Sequence, residues 1–192
     1  MQQITRMKPE NPPAGEAAAP SSPDAATNAA AQHSERELHF TRLFDAPRAV
    51  VFRAWTDPAQ ALHWYGPKDF TVEHIEMDVR VGGAWRKCMR SPAGIDYWRS
   101  GVYHEVVVPE RLSFTYVSDD PQGIAGHETL VSIDFLERGR QTLMVFKQAA
   151  FESMATRNSH RNGWGEAMER LAVWVEGRSN PASRSTTAKD IS

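Results

Sequence analysis

The segment 163–176 (GWGEAMERLAVWVE) constrains the fold of this chain more than any other. Trp164, Ala167, Met168, Leu171 and Val175 recur at i, i+3, i+4, i+7 and i+11, which makes one apolar stripe at helical period. Glu166, Glu169, Arg170 and Glu176 fall mainly on the other side. The stripe follows a run of segments with strand character. Such a helix has to close a core against strands that also have one face to bury. Trp164 and Met168, near its start, are bulky and adaptable, suited either to filling a solid core or to roofing a cavity.

Upstream the apolar period is two. Leu38, Phe40 and Phe44 predict a first strand. Asp45-Ala-Pro47 stops it and starts a helix over Arg48–Thr56, with Asp45 as capping acceptor and Pro47 in the first turn. Asp57-Pro58 repeats the start signal for a second short helix over 59–65. After the break at Gly66-Pro67, strands are predicted over 70–79, Ala84–Arg90, 96–108, Arg111–Ser118, 128–137 and 141–148, with a loop over 119–126. Short turns join most of them, so successive strands pair antiparallel. The expected class is α+β. A curved antiparallel sheet wraps around the long C-terminal helix, two short helices follow the first strand, and that strand joins the sheet from the other end.

The sequence has 192 residues, but 1–35 and 180–192 are rich in small and polar residues and lack an apolar period. They are expected to be a disordered arm and tail, with too little apolar surface to offset their ordering entropy. Between them, 36–179 reads as one domain of about 145 residues, a size that supports a proper core. Net charge is −2, with both signs mixed along the chain, and there is no basic stripe of the kind nucleic-acid binders carry. The single cysteine, Cys88, forms no intrachain disulfide and fits a reducing compartment. The chain has no secretory apolar region and no run of about 18 apolar residues. A cytoplasmic protein with no membrane span and no nucleic-acid partner is expected.

A curved sheet gripping a helix leaves a gap, and strand alternation sorts the residues that face it. Trp85, Lys87 and Met89 share one face of their strand, while Arg86, Cys88 and Arg90 share the other. Lys87 therefore sits on an otherwise apolar face. It either snorkels to a sheet edge or fixes an acidic group on a ligand. Leu112, Phe114 and Tyr116 share a face, and Tyr97, Tyr103, Phe146 and Phe151 extend the aromatic set. The expected pocket residues are Trp64, Trp85, Lys87, Met89, Tyr97, Tyr103, Phe114, Tyr116, His127, Phe146, Phe151, Trp164 and Met168. No catalytic residue is assigned. His127 and Glu128 are adjacent and so point apart on a strand, and Ser100 and Ser132 lie outside any Gly-x-Ser-x-Gly sequence. The histidines form no metal-binding spacing, and Gly82-Gly83 lacks the strand, loop and helix order of a phosphate loop. No metal or cofactor is expected.

These pieces, in their order, carry a resemblance. They are Phe44-Asp-Ala-Pro47 with Val51-Phe-Arg-Ala-Trp-Thr56, then Trp64-Tyr-Gly-Pro67, then Asp78-Val-Arg-Val-Gly-Gly83 with Trp85. Gly101-Val-Tyr-His-Glu-Val106, Pro109-Glu-Arg-Leu112, Phe114-Thr115 and Gly163-Trp164 follow. Over about residues 36–177 the chain resembles the START-like, helix-grip superfamily (SRPBCC, the polyketide-cyclase and lipid-transport group). Within it, the chain is most similar to the family named for the activator of the 90-kDa heat-shock protein ATPase. The resemblance implies a hydrophobic cavity between sheet and helix that takes a small apolar or amphipathic ligand. It transfers no catalytic residue. Alternative readings are an enzyme of cyclase or hydrolase type acting in that cavity, and a protein-interaction module with a chaperone partner. A homodimer also stays open.

Overall fold

The computed structural model describes residues 35–119 and 126–179. The expected arm, apart from Glu35, and the expected tail lie outside the described residues, as does most of the loop over 119–126. The elements run β1 (Leu38–Phe44), α1 (Arg48–Thr56), α2 (Pro58–Ala61), β2 (Thr71–Met77), β3 (Ala84–Arg90), β4 (Asp96–Val107), β5 (Arg111–Ser118), β6 (Thr129–Arg138), β7 (Gln141–Ala149) and α3 (Met154–Ser179). The seven strands form one sheet in the order β1-β7-β6-β5-β4-β3-β2. All neighbours are antiparallel, and β1 adds to the free edge of β7 with Leu38 opposite Gln148 and Phe44 opposite Thr142. This is the helix-grip arrangement. Register shifts at Val72/His74 and Tyr103/Glu105 interrupt the ladders of β2 and β4, and such irregularities bend strands.

The core lies between the sheet and the helices. Trp164, Ala167, Met168, Leu171, Ala172 and Val175 of α3 are buried, so the stripe closes the core. From α1, Val51, Phe52, Ala54 and Trp55 enter the same layer. Phe52 meets Phe135 edge-on with ring centroids 5.4 Å apart, and Trp55 stacks on Trp164 at 5.8 Å. Aromatic pairs at such spacings add to the area they bury.

Local signals fared unevenly. Asp57 caps α2 as expected, accepting from the Ala59 amide at 3.0 Å with Pro58 in the first turn. Asp45 does not cap α1. Pro47 occupies the N-cap position itself and no side chain caps the helix. The Asp45 amide instead donates to Glu176 Oε1 at 3.3 Å, which ties the entry of α1 to the end of α3. The second short helix is only Pro58–Ala61, and the chain turns through Leu62–Gly66. The last helix begins nine residues before Gly163, at Met154. There Ser153 Oγ accepts from the Thr156 amide at 3.1 Å, a helix-start bond. No helix among the described residues is long and apolar enough to cross a membrane.

Candidate functional site

One hollow of about 250 Å³ remains between β3–β5, the loop after α2 and the first half of α3. Its floor is apolar, made by Met89, Trp164 and Ala167, with Tyr65, Phe70, Tyr97 and Tyr116 around it. Arg99, Ser159 and His160 stand on its more exposed side. The neighbouring backbone of Gly66 and Pro67 completes the rim.

The position of Lys87 is decided by register. β3 lies inside the sheet, between β4 and β2, so Lys87 has no edge to snorkel to and is 2% exposed. Its Nζ donates to the Tyr65 carbonyl at 2.8 Å and lies 3.4 Å from the centroid of the Tyr65 ring, with the Trp164 and Tyr116 rings at 5.7 and 5.9 Å. Burial pushes its amine well below the ordinary lysine range, and the positive charges of Arg99 and Arg170 push it further. Arg99 is the direct cross-strand partner of Lys87, so both point to the same face of the sheet. His160, reaching in from α3, is also held below its usual value, chiefly by burial, against the raising effect of its bond to the Thr156 carbonyl. Its ring meets Tyr116 at 5.7 Å and Phe151 at 5.1 Å. Among the described lining residues there is no carboxylate.

Trp164 has two duties. One face borders the hollow, while its Nε1 donates to Gln148 Oε1 at 2.7 Å. Gln148, fully buried, donates in turn to Thr129 Oγ1 at 2.8 Å, and that hydroxyl donates to the Tyr116 carbonyl at 2.9 Å. A polar chain thus runs behind the hollow with its members satisfied, as a buried network requires.

The structure gathers five of the residues expected at the pocket around the hollow: Lys87, Met89, Tyr97, Tyr116 and Trp164. Trp85, Tyr103, Phe114 and Met168 lie in the adjoining core, with Trp85 5.6 Å from Phe114 and Phe114 5.7 Å from Tyr103. Trp64 is buried behind Tyr65 and donates to the Ala54 carbonyl at 2.9 Å. Phe146 packs on the far side of Trp164 at 4.7 Å, and Phe151 backs His160. His127 is exposed, and its Nε2 donates to the Ala150 carbonyl at 2.6 Å.

Tyr65, Arg99 and His160 were not singled out by the sequence, though two of them carried a signal. Arg99 alternates with Tyr97, and His160 lies one helical turn before Trp164. Asn158, Ser159, Asn162 and Gly163 hide that turn because each is a poor helix former. Tyr65 sits in an irregular turn, where neither period applies.

A buried amine gives a clear pH signature. In the folded protein burial lowers the pKa of Lys87, while in the unfolded chain the amine stays protonated up to its ordinary value of 10.5. Over the pH units just below 10.5 the unfolded state therefore binds more protons, and Lys87 makes stability rise with pH. Lys87→Met lacks that slope. The stability of wild type relative to the variant is expected to increase by up to about 1.4 kcal/mol per pH unit as pH rises toward 10.5. Urea melts of both proteins across that range measure it. A difference that stays flat with pH refutes a buried, neutral amine.

The family model for "Activator of Hsp90 ATPase homolog 1-like protein" matches residues 45–176. Among solved structures, a protein from Chromobacterium violaceum is 25% identical, with 73% of this chain and 98% of that chain covered at a TM-score of 0.67. A solution structure from Arthrobacter aurescens is 21% identical, covering 82% and 95% at 0.67. The AHSA1 protein from Silicibacter pomeroyi is 24% identical, covering 71% and 95% at 0.65. No curated protein matches the chain. The matched span runs from the end of β1 to the last turns of α3 and contains every residue around the hollow. The chain belongs to the family of activator of Hsp90 ATPase homolog 1-like proteins.

Proposed function

We propose that this protein binds one small amphipathic molecule in the hollow between sheet and α3, with an apolar, preferably aromatic, body and an acidic group. The observation that carries this reading is a guanidinium placed without a counter-charge. Arg99 lies across β3 and β4 from Lys87, whose burial disfavours the charged form, His160 stands near as a further polar group, and the described lining holds no carboxylate. An anion supplies the missing partner, and a charge-assisted bond to a guanidinium is among the stronger polar contacts available. The aromatic walls take the remainder of the molecule. Size narrows the class. Drug-sized ligands occupy roughly 300–1,000 Å³, whereas this hollow holds about 250 Å³, which favours one or two rings over a fatty acid or a steroid.

Titrations followed by tryptophan fluorescence test the reading, because Trp164 borders the hollow. Benzoate and 1-naphthoate are expected to give saturable changes, while benzyl alcohol and palmitate bind weakly or not at all. Arg99→Met is expected to weaken benzoate binding by about ten- to a hundredfold, the loss of one charge-assisted contact. Equal affinity for benzoate and benzyl alcohol removes the anionic part of the proposal. No saturable change with any of the four removes the whole.

A further inference from the structure

Capture of an acid at Arg99 does not explain why a primary amine is buried beside it. Lys87 Nζ is enclosed by three rings that border the hollow and by the Tyr65 carbonyl. The charged or titratable groups around it are Arg99 from β4, Tyr116 from β5, His160 and Arg170 from α3, and Tyr65 from the loop after α2. None of these is an acid that could hold the amine as an ion pair. A neutral amine has two N–H bonds and one lone pair. The Tyr65 carbonyl accepts one N–H and the face of the Tyr65 ring receives the other, which leaves the lone pair unused by either contact on a residue that lines the hollow.

We infer that the hollow is a carbonyl-capturing site, in which Lys87 Nζ forms an imine with an aldehyde or ketone on the bound acid. This rests on the proposed reading of the hollow as a site for a small acidic molecule. The Nζ lone pair attacks the carbonyl carbon, a C–N bond forms, and the π pair moves to oxygen. The resulting carbinolamine loses that oxygen as water, which carries away the two amine hydrogens and leaves a C=N bond. Nothing is oxidised or reduced. Burial, and after it the charges of Arg99 and Arg170, shift the amine toward its free base, the form an amine nucleophile needs. Arg99, in register with Lys87, is the positioning residue for the acid. The apolar walls limit the water that would reverse the reaction.

The probe is 4-carboxybenzaldehyde, offered to the full chain at pH 7 with sodium cyanoborohydride to fix any imine as a secondary amine. The peptide containing Lys87 is expected to gain the mass of the probe less one oxygen atom. Each unit by which an amine's pKa falls raises its free-base fraction about tenfold. Lys87 is therefore expected to react at least about tenfold faster than Lys68 or Lys147, and excess benzoate suppresses the reaction. Lys87→Met is expected to lose this fast labelling, with its folding checked by thermal melting. If that variant does not fold, site mapping and benzoate competition on the wild type decide the question alone. Labelling at Lys87 no faster than at Lys68 and Lys147 overturns the inference. Saturable fluorescence quenching by the probe without a Lys87 adduct overturns the imine and leaves the binding site standing. Absence of both quenching and adduct removes both.

Discussion

Trp164→Ala is expected to lower the melting temperature by roughly 10–20 °C and to weaken benzoate binding as well. Trp164 is 4% exposed, and its indole lies within 6 Å, centroid to centroid, of the rings of Trp55, Tyr65, Tyr116 and Phe146. Removing a buried Trp side chain costs about 3–5 kcal/mol. The substitution also strands the Gln148 carbonyl oxygen, which now accepts from the indole at 2.7 Å, and a buried acceptor left without a donor adds about 1–3 kcal/mol. Trp164→Phe separates the two contributions, because it keeps most of the ring packing and loses the bond to Gln148. It is expected to cost about half as much or less. Thermal melting of both variants against the wild type measures these effects. A Trp164→Ala protein that melts within about 3 °C of the wild type contradicts the packing described for this layer.

Gly101→Ala is the second large effect, expected at about 3–5 kcal/mol from overpacking plus a lost hydrogen bond. A Cβ on Gly101 overlaps the Thr115 carbonyl oxygen and comes 2.6 Å from Trp85 Nε1. Trp85 crosses this point because its Nε1 donates to that same carbonyl at 3.2 Å. The obstruction is backbone on one side and an indole fixed by its own hydrogen bond on the other, so neither yields cheaply. Val102, the next residue, bonds through its amide to Thr115 Oγ1 at 3.0 Å, which holds the strand close. Chemical denaturation measures the loss. A change below about 1 kcal/mol means that β4 can shift away from β5 without penalty.

The fold was legible because its signals repeat. β3 and β5 match their predicted bounds, and the stripe of α3 names the residues that are buried there. Alternation also told which face of β3 turns inward, and that placed Lys87 on the apolar side. Its depth was not legible. Whether a lysine on such a face reaches solvent depends on how many strands lie beyond it, and strand order is a tertiary fact. The hollow was half legible for a related reason. Aromatic residues on inward faces were found readily, but periodicity does not distinguish one that borders a void from one that meets a neighbour. Phe114 and Tyr116 share a face of β5, yet only Tyr116 borders the hollow. Asp45 illustrates the opposite error. Its sequence context reads as a cap, and the amide is instead engaged by Glu176, more than a hundred positions away.

The guanidinium of Arg170 donates to four main-chain oxygens of the segment that overhangs the hollow: Gly66, Pro67 and Phe70 through Nη1, and His63 through Nη2. Glu166, one turn earlier on α3, accepts from the Lys68 amide at 3.0 Å. The helix thus staples this overhang to itself along its length, and swinging the overhang away as a flap would break these bonds together. For the guest proposed above, admission would then rest on side-chain rotations of the half-buried Phe70, Tyr97 and Arg99 rather than on slower loop motion. Such a doorway would filter the proposed guest by girth more than by length, and filling and emptying would need no rearrangement of the main chain.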